Sequence, residues 1–163
     1  MSKEKTRRFL KEEFYGWRCA EGTLERYLKC CEVSSKDEMF FETFKINPHY
    51  TPILEHVTLE QSQNYLNTIV QENPGLLHEI KDKFSTNDLL GSPKLLKYRL
   101  SDGYEFSCSP TTIRYVKVLS DLINIFGSLD NLTIAEIGGG YGGLATIISQ
   151  KFNVKHYYNV DLK

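Results

Sequence analysis

The strongest constraint on how this chain can fold is one string, Ile134-Ala135-Glu136-Ile137-Gly138-Gly139-Gly140-Tyr141-Gly142-Gly143, in which a short apolar run meets five glycines in six residues. Leu132 to Ile137 reads as a strand and Gly138 to Gly143 as a turn. Leu144 to Phe152 reads as a helix with Leu144, Ile147 and Ile148 inward, and Lys155 to Asp161 as a second strand rich in Tyr and Val. Strand, turn, helix, strand is a β-α-β unit, whose strands run parallel through a right-handed crossover. The expected class is therefore α/β.

Glycines at a strand-to-helix turn permit backbone angles closed to other residues, and they let a ligand approach the main chain without a Cβ in the way. The next helix offers unpaired amides at its start. Asp161, at the end of the second strand, stands where a carboxylate accepts hydrogen bonds from ribose hydroxyls. These parts predict an adenosine-containing cofactor, and two patterns fit. Gly138, Gly140 and Gly143 satisfy the dinucleotide fingerprint G-x-G-x-x-G, with Asp161 eighteen residues on. Gly138, Gly140 and Gly142 satisfy G-x-G-x-G, the turn of methyltransferases that use S-adenosylmethionine (SAM). Glu136 separates them. A carboxylate two residues before the first glycine repels a pyrophosphate but favours the ammonium and sulfonium of SAM. The expectation is SAM, with an NAD-binding oxidoreductase as the alternative.

The same residues carry a resemblance. Glu136 to Gly143, preceded by Ser109-Pro110-Thr111-Thr112-Ile113-Arg114-Tyr115 and Phe126-Gly127, resembles the bacterial sugar O-methyltransferases. Asn87-Asp88-Leu89-Leu90-Gly91-Ser92-Pro93 is similar to that family's N-D-x-x-G-N-P segment, with Ser92 in place of the usual Asn. The resemblance spans residues 85 to 163; the segment before it matches only in general helical character. It implies a SAM-dependent O-methyltransferase acting on a saccharide or glycan precursor. It also implies roles: Glu136 near the methionine end of SAM, Gly138, Gly139, Gly140 and Gly142 beneath the amino-acid moiety, Asp161 on the ribose, and Tyr141 over the cofactor. Thr112 and Arg114 would face the SAM carboxylate or the acceptor.

The first hundred residues read as helices joined by breaks. A helix from Thr23 carries Leu24, Tyr27, Leu28 and Cys31. Ser35 to Glu38 and Thr58 to Gln61 have capping-box form, in which side chains at each end satisfy the other's amide. The first box is expected to open a helix burying Met39, Phe40, Phe41 and Phe44. The second opens one carrying Leu59, Leu66, Ile69 and Val70, which stops at Asn73-Pro74-Gly75. A short helix with Leu76, Leu77, Ile80 and Phe84 follows. Turn signals at 85–88, 91–93 and 101–103 mark a connector with one hairpin. Ser109-Pro110 then starts a helix with Val116, Leu119, Ile123 and Phe126 on one face and Gly127 as its stop.

The expected organisation is a helical region over 1–84, a connector over 85–108, and the start of a Rossmann-like SAM-binding domain over 109–163. Two parallel strands cannot cover both faces of a sheet, so this domain is expected to be incomplete, a fragment without its later strands. No catalytic residue can be named from this part. A truncated, non-catalytic chain acting through its helices is the remaining alternative.

Twenty basic and 21 acidic residues leave a net charge of −1, which supplies no broad positive field for nucleic acid or anionic lipid. The basic run Lys3 to Arg8 reads as a solvated tail. Neither a signal peptide nor an apolar run long enough for a membrane span is present, so the expected location is the cytoplasm. Cys19, Cys30, Cys31 and Cys108 form no C-x-x-C pair and the four histidines are scattered; no structural zinc is expected.

Overall fold

The computed structural model describes residues 23–80 and 83–161. The basic run Lys3 to Arg8 and Cys19 lie outside them. The chain is mixed α/β: helices first, then a hairpin, a long helix and a parallel strand pair.

Helix α1 (Thr23–Ser34) is followed by α2 (Glu38–Thr43), a 3-10 turn (Phe44–Ile46) and the single-turn α3 (Thr51–Leu54). Helix α1 places Cys30 inside and Cys31 outside, in keeping with the rotation between neighbours on a helix. The box expected at Ser35 does not form. Asp37 is the N-cap and accepts the Phe40 amide, while Ser35 Oγ donates back to the Glu32 carbonyl. An aspartate one residue before the helix competes well for that position. Its helix is short and buries less than its composition suggested: Met39 is 72 % and Phe41 42 % exposed, and only Phe44 is fully inside.

Helix α4 (Leu59–Glu72) begins with both reciprocal bonds of the box between Thr58 and Gln61 and ends at Asn73. Leu66 and Ile69 are buried, but Leu59, in the first turn, stays exposed. After α5 (Leu76–Ile80) comes a 3-10 segment (Phe84–Leu89). The expected hairpin exists, with β1 (Leu96–Arg99) antiparallel to β2 (Glu105–Cys108).

Helix α6 (Pro110–Phe126) is the centre of the molecule. Ser109 accepts the Thr112 amide at 3.1 Å, proline fills the first turn, and Gly127 closes the helix at φ +73°. Ile113, Val116 and Leu119 recur at helical spacing and are fully buried, whereas Phe126, expected on the same face, is exposed. They pack with Leu66, Ile69, Leu76, Leu77 and Ile80 on one side and Ile147 and Ile148 on the other. Each such side chain removed from water contributes roughly 2 kcal/mol, so α6 ties the helical and β-α-β parts together.

The β-α-β unit comprises β3 (Thr133–Ile137), α7 (Gly143–Ser149) and β4 (His156–Val160). Strands β3 and β4 are parallel, with Glu136 opposite Asn159 and Ile137 opposite Val160. One face of the pair, carrying Ile134, Glu136 and Tyr157, is half-buried; on the other, Ile137, Tyr158 and Val160 are exposed. No helix among the described residues is long and apolar enough to cross a membrane.

Candidate functional site at the glycine turn

The turn between β3 and α7 has left-handed backbone at alternate residues: φ is +76° at Gly138, +54° at Gly140 and +85° at Gly142. Such angles disfavour any side chain with a Cβ. A Cβ at Gly138 would meet nothing within 4 Å among the described residues, which leave the main chain there open to an approaching group. Gly139 and Gly143 are tight for a different reason. A Cβ at Gly139 would run into the side chains of Glu136 and Asn159. One at Gly143 would lie 2.5 Å from the Tyr115 ring, so that glycine lets α7 close on α6.

The turn is held from below and from the side. Gly138 N–H donates to the Val160 carbonyl at 2.7 Å, extending the parallel ladder by one bond. Asn159 donates through Nδ2 to the Gly140 carbonyl at 3.0 Å. Asp161, one residue past β4, accepts the Gly140 amide at 2.5 Å. Glu136 lies against Gly139 on the half-buried face and accepts the Tyr157 hydroxyl at 2.7 Å. Burial first, and the hydrogen bond to Glu136 second, push the Tyr157 phenol well above its usual range, so it stays protonated as the donor. Glu136, the four turn glycines and Asp161 thus share one end of the strand pair.

Three residues assigned to the site by resemblance are placed elsewhere. Tyr141 turns back against Gly143, at the start of α7. Its hydroxyl donates to Asn87 Oδ1 at 3.1 Å, and its ring packs edge-on against Phe44 at 5.4 Å. Thr112 is buried; its hydroxyl donates to Asp88 at 2.8 Å and accepts from Asn87 Nδ2 at 2.8 Å. Arg114 stacks over its neighbour Tyr115, 5.2 Å from the ring centroid. Thr112 and Tyr141 face the seam between α6 and the segments before it, where side chains find partners that the local sequence does not reveal.

That seam explains the Asn87 to Pro93 segment. Asp88 accepts both the amide and the hydroxyl of Ser109, each at 2.7 Å, and so fixes the start of α6. Asn87 bridges Thr112 and Tyr141. Ser92 has φ +51° and donates to the Glu42 carbonyl at 2.8 Å. Asparagine is among the residues that best tolerate that backbone.

Sequence reading missed three further participants. Tyr27 donates to Asp161 Oδ2 at 3.0 Å. Lys45, only 1 % exposed, donates to the Asn87 carbonyl at 2.6 Å and sits 4.4 Å from the centroid of the Tyr141 ring. Glu55, next to Leu54, has one carboxylate oxygen buried with no hydrogen-bond partner among the described residues. Nothing in the local pattern marks any of them, because the surroundings of each come from distant parts of the chain.

Burial pushes the Glu55 carboxyl upward, partly offset by the Thr111 hydroxyl and by Lys45 and Arg114, with Asp88 adding to the rise. A carboxyl raised on folding adds stability that is complete below its unfolded pKa and disappears as pH rises through the folded one. Replacing Glu55 with glutamine should remove this slope. Relative to the unchanged protein, Glu55→Gln should gain stability between acidic and neutral pH in urea unfolding. An equal stability difference at both pH values would contradict the assignment.

No family model, no curated protein and no solved structure matches the chain. What the fold and site define is an α/β chain whose parallel strand pair ends in an open glycine turn flanked by two carboxylates.

Proposed function

We propose that the chain carries the methyl-donor site of a SAM-dependent O-methyltransferase acting on a sugar in the cytoplasm. The observation that carries this reading is the left-handed backbone at Gly138, Gly140 and Gly142, the three positions of G-x-G-x-G. Glu136 beside the turn and Asp161 at its edge add carboxylates suited to a cationic amino acid and a ribose. SAM, when bound, supplies an electrophilic methyl group on a sulfonium. The turn would seat the amino-acid end on the open main chain at Gly138. Glu136 would stabilise its positive charge, and Asp161 would hold the ribose hydroxyls. Positioning of donor and acceptor then accounts for much of the rate. The sugar acceptor follows from the resemblance of Ser109 to Tyr115 and Asn87 to Pro93.

A dinucleotide reading has one observation in its favour: Gly143, the third glycine of that fingerprint, stands where no Cβ fits, although the crowding comes from Tyr115 of α6 and Tyr141 rather than from a strand. Parallel titrations with SAM and NADH separate the two. Binding of SAM is expected, and Asp161→Ala should weaken it roughly tenfold or more, the scale of a lost charged hydrogen bond. Tight NADH binding without SAM binding would reverse the assignment.

A further inference from the structure

The nucleoside side of the turn is covered by the N-terminal helices. Two donors converge on one oxygen of Asp161: the Gly140 amide and the hydroxyl of Tyr27, which lies 134 residues earlier in the chain. A Cβ at Gly140 would meet Leu54 at 3.5 Å and the Tyr27 hydroxyl at 3.7 Å. Space that stays open at Gly138 is therefore filled at Gly140 by side chains from α1 and α3. The Tyr27 phenol is held well above its usual range, chiefly by burial, so it remains a donor at neutral pH.

We propose that Tyr27 gates the nucleoside site: its hydroxyl occupies the position on Asp161 that a ribose diol takes on binding, and α1 must withdraw it for the ligand to enter. The proposal rests on the nucleoside-cofactor reading above and specifies how entry to that site is controlled. Two features suit α1 to move. It is anchored through Cys30 to a small cluster with Phe44 and Tyr50, distinct from the main core around α6 though Tyr141 packs against both. Among the described residues an open cleft of about 320 Å³ lies on one flank of α1, lined by Arg26, Lys29, Val33, Phe40 and His49 among others. Elements with few buried apolar contacts open at low free-energy cost.

The test compares the 163-residue chain with Tyr27→Phe, which keeps the ring and removes the competing donor. Both are titrated with SAM, with adenosine and with an adenosine lacking both ribose hydroxyls. Tyr27→Phe should bind SAM and adenosine about tenfold more tightly, the scale of one hydrogen bond to a charged group, and the diol-free analogue no better. Unchanged or weaker binding of SAM and adenosine would overturn the gate and leave the methyl-donor reading standing. Equal tightening for all three ligands would also overturn it, by showing general loosening. No binding of any ligand to either protein would overturn both. A second measurement uses the unaltered chain. Adenosine should quicken amide hydrogen exchange in α1 while protecting the glycine turn; unchanged or slowed exchange in α1 would refute the proposal.

Discussion

Lys45→Ala is expected to destabilise the chain by about 3 kcal/mol or more, the usual cost of removing one partner from a buried charged cluster. Lys45 lies wholly inside, between the N-terminal helices and the segment before α6. Its ammonium donates to the Asn87 carbonyl and stands over the Tyr141 and Phe44 rings, with the charges of Glu55 and Asp88 facing it. Alanine would leave that carbonyl without its donor and would take from the two acids the cation that faces them both. It would also leave a cavity where the stem packed. Burial by itself pulls the lysine pKa down, so the site tolerates the charge only because these partners surround it. Lys45→Met, which keeps most of the stem, should recover part of the loss. Urea unfolding with a shared slope would measure both; a change of less than about 0.5 kcal/mol in Lys45→Ala, the range of an ordinary surface substitution, would refute the role.

Gly91→Ala should cost about 3 kcal/mol by two separable effects. Gly91 has φ +74°, and a residue with a Cβ pays roughly 1 kcal/mol or more for left-handed backbone. Its Cβ would also lie 2.7 Å from Lys45 Cγ and from the Phe44 ring, an overpacking that typically costs about 1–3 kcal/mol. Gly103 provides the control. Its φ of +89° is comparable, but a Cβ there would meet nothing within 4 Å among the described residues, so Gly103→Ala should show the backbone effect alone. Thermal unfolding of the two variants tests the division. Equal losses would show that crowding against Phe44 and Lys45 contributes nothing.

Both predictions concern the seam that no local pattern disclosed. Adjacent glycines announced the turn after β3 because the backbone angles they permit are a property of each residue. Asn87 and Asp88, by contrast, drew notice as part of a turn signal and through resemblance, and their work became clear when Ser109, Thr112 and Tyr141 were found around them. Tyr141 shows the limit well. Between glycines it suggested a cover for a ligand, yet its ring turns to Phe44 and Lys45, because the N-terminal helices offer an apolar and cationic surface there.

The amino-acid order alone set the parallel strand–turn–helix–strand unit, the cap of α4 at Thr58 and the start of α6 at Ser109. Those features depend on hydrogen bonds and backbone angles formed within a few residues. Folding in three dimensions decided that Met39 and Phe41 face solvent, that Lys45 is enclosed, and that Tyr27 reaches Asp161. Such outcomes depend on which distant surfaces meet, and that is fixed only when α6 brings the helical and β-α-β parts together around one apolar core.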